Sequence, residues 1–156
     1  MKFDKFTLKV QEALATAQQT AMAKSHTLLT PLHLLSALLS DQEGMVPEVL
    51  RKIGANVGRI RQMTDGELNR LAQGTPSGGQ IMPDPAFGQV VLDAQNRADK
   101  MGDEYLSAEH LLLALASVDS DAKEVLSLNS VKPDQIADAV QQIRGGEKVT
   151  DASPEE

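Results

Sequence analysis

The sequence predicts an all-α protein of eight helices, arranged as two four-helix repeats related by a pseudo-two-fold axis. A helix-start signature occurs twice, 77 positions apart: Leu29-Thr30-Pro31-Leu32-His33-Leu34-Leu35 and Leu106-Ser107-Ala108-Glu109-His110-Leu111-Leu112. Laying residues 17–40 on 94–117 without a gap gives 10 identities in 24 positions, including Ala17/Ala94, Ala21/Ala98 and His33/His110. A match of that length marks an internal duplication, with a seam between the two copies. Aromatic residues make up only 3% of the chain and Trp is absent. Ala, Leu and Val must therefore supply the packing, a habit of closely packed helices rather than of sheets.

Each element has its own signal. Thr7 is placed to cap a helix running to about Lys24, with Leu8, Leu14, Ala15, Ala17, Ala21 and Met22 as its apolar stripe. Thr30-Pro31 pairs a hydroxyl cap with Pro at the first helical position, where a missing N–H costs nothing. The helix it opens, about 31–39, is apolar nearly all round and belongs in the interior. Asp41-Gln42-Glu43-Gly44 breaks it. Pro47 is read as starting a short helix that ends near Gly54, and a longer one follows from about Asn56 to Leu71.

A Gly/Pro/Ser stretch from Ala72 to Gln80 then joins the halves. Asp84-Pro85 repeats the cap-then-Pro start, and a helix runs to Met101 with Phe87, Val90, Val91, Ala94 and Ala98 on one face. Ser107 caps the counterpart of the buried helix, a short helix covers about 121–128, and Pro133 opens the last. Gly145-Gly146 stops it. The expected organisation is one domain over 1–146, with repeat 1 at about 6–71, a linker loop at 72–83 and repeat 2 at about 84–146. Residues 147–156 lack periodicity and read as a flexible linker.

Composition excludes several function classes. Net charge is −7, and no basic stripe of the kind that follows a phosphate backbone is visible, so nucleic acid is not an expected partner. Arg51-Lys52 and Arg59/Arg61 read as solvated helix faces. Without cysteine, disulfides, thiol catalysis and thiolate metal sites are out. The start of the chain lacks the apolar core of a signal peptide, and no apolar run reaches membrane-spanning length. A soluble, cytoplasmic protein without a membrane partner is the expectation. The three histidines, His26, His33 and His110, share no ligand spacing, and neither a zinc-protease nor a nucleophile-elbow motif is present. The glycines at 74–79 precede no Gly-Lys-Ser/Thr. No enzymatic activity, metal or cofactor is expected of this chain.

The candidate functional residues therefore belong to a binding surface at the seam. His33 and His110 occupy equivalent positions at the starts of the two buried helices. They are read first as structural residues, and second as imidazoles that line the seam and touch a ligand. Asp103 and Glu109 flank the second of these starts, where a carboxylate suits the helix dipole; the alternative is that they gate a peptide groove. Thr7 has the same two readings, cap and ligand contact. Leu92 falls off the main stripe of its helix and Tyr105 precedes the Ser107 cap. Exposed apolar residues beside a seam mark a partner site.

Thr30-Pro31-Leu32-His33-Leu34-Leu35 and Ser107-Ala108-Glu109-His110-Leu111-Leu112-Leu113 resemble the N-terminal repeat domain of the Clp/Hsp100 AAA+ unfoldases, over essentially the whole chain. The start Lys2-Phe3-Asp4-Lys5-Phe6-Thr7 and the closing Arg144-Gly145-Gly146-Glu147 look most like its disaggregase members. The resemblance implies a non-catalytic substrate-recognition domain of a chaperone of the stress and heat response. A linker from residue 147 would lead to AAA+ rings absent here, and ATP and Mg2+ would belong to those rings alone. It further implies a homohexameric parent, unfolded or aggregated proteins as clients captured for threading, and cooperation with the Hsp70 system. Thr7, Asp103 and Glu109 match positions implicated in client handling, and an apolar groove is implied near Val91, Leu92 and Ala94. Asp93 and His110 depart from an apolar groove wall. Proteolytic members read phosphoarginine through a Glu in both halves, whereas here Leu32 stands opposite Glu109. Docking of an adaptor or modified protein, or a regulatory cap on the ring, are the alternative functions.

Overall fold

The computed structural model describes residues 5–154. Lys2, Phe3 and Asp4 of the start motif, with Glu155 and Glu156, lie outside them. The described residues form eight α-helices: α1 (Leu8–Ala23), α2 (Pro31–Ser40), α3 (Met45–Ile53), α4 (Val57–Leu68), α5 (Pro85–Lys100), α6 (Ala108–Ser117), α7 (Asp121–Leu128) and α8 (Pro133–Arg144). Two two-residue strands, β1 (Leu28–Leu29) and β2 (Met82–Pro83), pair in parallel. The protein is all-α, as the sequence predicts. α1 and α5 are both 16 residues long and begin 77 positions apart, as do α2 and α6, both of 10 residues. α4 and α8, both of 12, begin 76 apart. The one-residue slip falls in the loop before the third helix, since α3 and α7 already begin 76 apart.

α2 and α6 form the centre, with almost every side chain of each buried. α1 lies on α2 and α5 on α6 through matched stripes, Val10, Ala13, Ala17 and Ala21 in one half and Phe87, Val90, Ala94 and Ala98 in the other. Small residues on these faces let the helix backbones approach closely. The third helices bridge the halves: α3 rests on α6 and α8 as well as on α2, and α7 rests on α2 and α4 as well as on α6. Each half therefore completes the core of the other.

The seam is also sewn by backbone. The Thr7 N–H donates to the Leu106 carbonyl at 3.0 Å, and the Asp84 N–H donates to the Leu29 carbonyl at 2.9 Å. These are one contact seen twice under the duplication: the start of each repeat's first helix is tied to the residue just before the cap of the other repeat's buried helix. The left-handed turns repeat as well. Gly102 (φ 74°) after α5 matches Ser25 (φ 58°) after α1, and Gly54 (φ 90°) after α3 matches Ser130 (φ 62°) after α7.

Four details differ from the sequence reading. Gly44 caps α3 and the helix begins at Met45, so Pro47 sits one turn in, where an N–H still has no intrahelical partner to lose. α4 ends at Leu68 rather than Leu71, capped by Asn69. Leu8 and Met22, assigned to the buried stripe of α1, are 43% and 61% exposed, while Val10 takes the core position. Residues 148–152, read as part of a flexible linker, lie along the body of the fold. The Val149 carbonyl accepts from the Glu104 and Tyr105 N–H groups at 2.8 and 3.3 Å, and the Ala152 carbonyl accepts from the Leu8 N–H at 2.8 Å. Val149 is buried as well, so main-chain bonds and one apolar residue together hold a segment with no helical or strand periodicity.

Candidate functional site

Ser107 and His110 form a capping box at the start of α6. The Ser107 N–H donates to His110 Nδ1 at 2.9 Å. That contact makes Nδ1 an acceptor and leaves the proton on Nε2, which donates to Asp103 Oδ2 at 2.7 Å. The other Asp103 oxygen accepts from the Val149 N–H at 2.9 Å. Arg144, at the last position of α8, brings Nη2 to 2.9 Å from Asp103 and donates from Nε to Glu109 at 2.9 Å. Glu109 also accepts from the Ser107 hydroxyl. Asp103, Glu109 and His110 are all buried. Burial drives the Asp103 carboxyl up, but the Val149 N–H, Arg144 and His110 together outweigh it and hold the group below its ordinary value. Burial likewise lowers His110, against the pull of Glu109 and Asp103, in line with a neutral imidazole.

The first half repeats this geometry with different chemistry. The Thr30 N–H donates to His33 Nδ1 at 2.9 Å, and His33 Nε2 lies 2.8 Å from Nδ1 of His26. His26 stands where the other half has Asp103, Leu32 where it has Glu109, and Leu68 where it has Arg144; all three are buried. Burial first, then repulsion from His26, lowers the His33 pKa to about 4. His26 is lowered by burial and by Lys24. One half thus seals its interior with leucines and two neutral imidazoles, and the other with a compensated ion cluster.

Thr7 is buried and caps α1, its hydroxyl accepting from the Val10 N–H at 3.3 Å. It lies against the same segment as Tyr105 through its bond to Leu106. Tyr105 is half-buried, with Lys5 Nζ 5.1 Å from its ring centroid. Thr7, Asp103, Tyr105, Glu109 and His110 are thus gathered at one end of the seam, but the carboxylates and the imidazole point inward and already hold partners. Val91 and Leu92 take no part in these contacts. Val91 is partly buried against the core, while Leu92 is 51% exposed on α5. Asp93, one residue on, holds Arg97 at 2.6 Å.

Sequence reasoning missed His26, Arg144 and Val149. Carrying the duplication beyond residue 117 with a one-residue gap sets Arg144 opposite Leu68 and would have singled it out. It also missed exposed Leu28, whereas Met22 and Met82, exposed as well, are among the methionines at helix ends and loops that read either as core filler or as adaptable binding side chains. Leu28 is the strand partner of Met82, and Met22 shares with Gln18, Pro76 and Ile81 a groove of about 550 Å³. A second groove, about 350 Å³, lies between the end of α5, α8 and Lys148. Among the described residues no group of three His, Asp or Glu could hold a metal ion, and no helix is long and apolar enough to cross a membrane.

The comparisons with known proteins agree with this architecture. The chaperone protein ClpB of Propionibacterium freudenreichii is 35% identical over 156 residues, covering 99% of this chain. The chain spans 18% of that protein's length. The solved N-terminal domain of Hsp104 from Candida albicans superposes with a TM-score of 0.86 at 22% identity, covering 97% of this chain and 99% of that one. A ClpV N-domain solved in complex with a VipB peptide gives a TM-score of 0.75 at 20% identity, covering 94% and 91%. Residues 5–129 match the family described as the Clp repeat (R) N-terminal domain. A duplicated four-helix unit, a twice-used helix start and that match assign the chain: it belongs to the Clp N-terminal domain family.

Proposed function

We propose that this chain is the client-recognition domain of an ATP-dependent protein disaggregase, capturing exposed segments of misfolded or aggregated proteins for threading by AAA+ rings. The observation that carries the reading is the 35% identity to a ClpB chaperone over nearly the whole of this chain. The chain contributes binding, and catalysis belongs to the parent; Asp103, Glu109 and His110 are paired with their neighbours, with Arg144 and with main chain. ATP and Mg2+ belong to the ATPase modules of the parent. That parent works as a cytoplasmic homohexamer cooperating with the Hsp70 system.

Unfolded segments offer apolar side chains and backbone groups without a fixed sequence. Exposed Leu92 on α5 and half-buried Tyr105 offer apolar surface to such segments. Micromolar binding, about −8 kcal/mol, suffices because several copies act together in a ring. An amide NMR titration with a permanently unfolded protein tests this. Shifts gathered at Thr7, 90–95 and 103–110 are expected. A well-folded sample whose spectrum stays still would overturn client capture and favour a regulatory cap on the ring. The peptide held by the ClpV N-domain of the same fold favours a second reading, docking of a defined adaptor segment; saturation by one short sequence and indifference to unfolded protein would mark it.

A further inference from the structure

Residues 148–152 are the chain's own example of an extended segment seated on the fold. Their carbonyls take the Glu104, Tyr105 and Leu8 N–H groups, the Val149 N–H goes to Asp103 Oδ1, and Lys148 Nζ donates to the Met101 carbonyl at 2.7 Å. The Val149 side chain is 4% exposed. This set of contacts reads polypeptide rather than sequence: backbone amides on the body pair with backbone carbonyls on the segment, and one small branched residue is buried with it. Recognition of an extended segment by free main-chain groups and a side-chain pocket is a general mode of peptide binding.

We propose that this cleft, between the start of α1 and residues 101–105, is a docking site for an extended, unfolded stretch of a client with a small β-branched residue at the Val149 position. Residues 148–152 occupy it in cis as a competing strap. The proposal rests on the client-recognition reading above and adds a location and a regulator to it. Everything the strap uses, an extended backbone and a valine, is abundant in unfolded chains. Its bonds lie at the end of the seam that holds Thr7 and Tyr105. A segment that must displace the strap binds more weakly than the open cleft allows. For a strap docked about nine-tenths of the time, release tightens apparent binding about tenfold.

The test uses the whole 156-residue chain, with Val149→Asp to release the strap by charge next to Asp103 and Lys148→Ala as a milder release. Amide hydrogen exchange at Leu8, Glu104 and Tyr105 reads the strap. Affinity for reduced, carboxymethylated lactalbumin reads the client. Both variants are expected to expose the three amides and to bind the unfolded protein several-fold more tightly, the helical circular dichroism being retained. Should Val149→Asp unfold the domain, Lys148→Ala decides alone. Exposed amides with unchanged affinity would overturn the competition, as would amides that stay protected in both variants. Failure of the parent chain and both variants alike to bind the unfolded protein would sink the client-recognition reading, and this proposal with it.

Discussion

Arg144 reaches two buried carboxylates at once, Asp103 through Nη2 and Glu109 through Nε, each at 2.9 Å. Removing it alone leaves two uncompensated carboxylates inside the protein. Arg144→Leu is expected to cost about 3–5 kcal/mol in urea unfolding. The other half already shows the apolar solution, with His26, Leu32 and Leu68 at the corresponding positions. The triple change Asp103→His, Glu109→Leu, Arg144→Leu is therefore expected to fall within about 1 kcal/mol of the parent, or above it. The imidazoles make a second residue-scale prediction. The unfolded chain protonates His33 near pH 6.5, whereas the folded chain resists until about pH 4. The unfolded state thus binds more protons in that window. The stabilisation is complete above pH 6.5 and is lost as the pH falls towards 4, by about 3 kcal/mol in all. Asp103, held low, adds acid sensitivity below its own unfolded value. Urea midpoints measured between pH 7.5 and 4 should fall steadily across this range; a flat profile would contradict the neutral His26–His33 pair.

Helices with a strong start signal were legible to within about a residue, because a hydroxyl cap with Pro or a dense apolar run leaves little choice of register. α5, opened by Asp84-Pro85, and α6, opened by Ser107, are of this kind. The α1 stripe was less legible, since Leu8 and Met22 are more apolar than the alanines that fill the interface. Symmetry decides it: Val10, Ala13, Ala17 and Ala21 are the images of Phe87, Val90, Ala94 and Ala98. The strap could not be read from pattern at all, because main-chain bonds and a single valine leave no periodic trace. At the candidate site, Leu92 was visible from its position off the α5 stripe, but the inward turn of Asp103 and Glu109 depends on Arg144, 35 residues and two helices beyond Glu109. Leu92→Ala is expected to weaken binding of an unfolded protein several-fold while changing stability by no more than about 0.5 kcal/mol, as for an exposed substitution. Parallel calorimetry and titration would check both numbers, and an unfolded mutant would remove Leu92 from the surface argument.

The crossing of α3 onto α6 and α8, and of α7 onto α2 and α4, makes the duplication a property of sequence and not of folding. Each half packs its own first, second and fourth helices together, but its core is closed by the third helix of the other. Polypeptides 1–76 and 77–156 made separately are expected to lack cooperative unfolding, and their mixture to recover the helical signal of the intact chain. Calorimetry of the whole domain should show one transition with equal calorimetric and van't Hoff enthalpies; two transitions would mean the repeats are autonomous. The same wiring bears on mechanics. Tension applied at the C-terminal end meets the strap first, at Ala152 on Leu8, then Val149 on residues 103–105, then Lys148 on Met101. These attachments follow one another along the chain, so they are loaded in turn rather than together. A pull from that side would uncover the Leu8 and Tyr105 amides before it reached the helices.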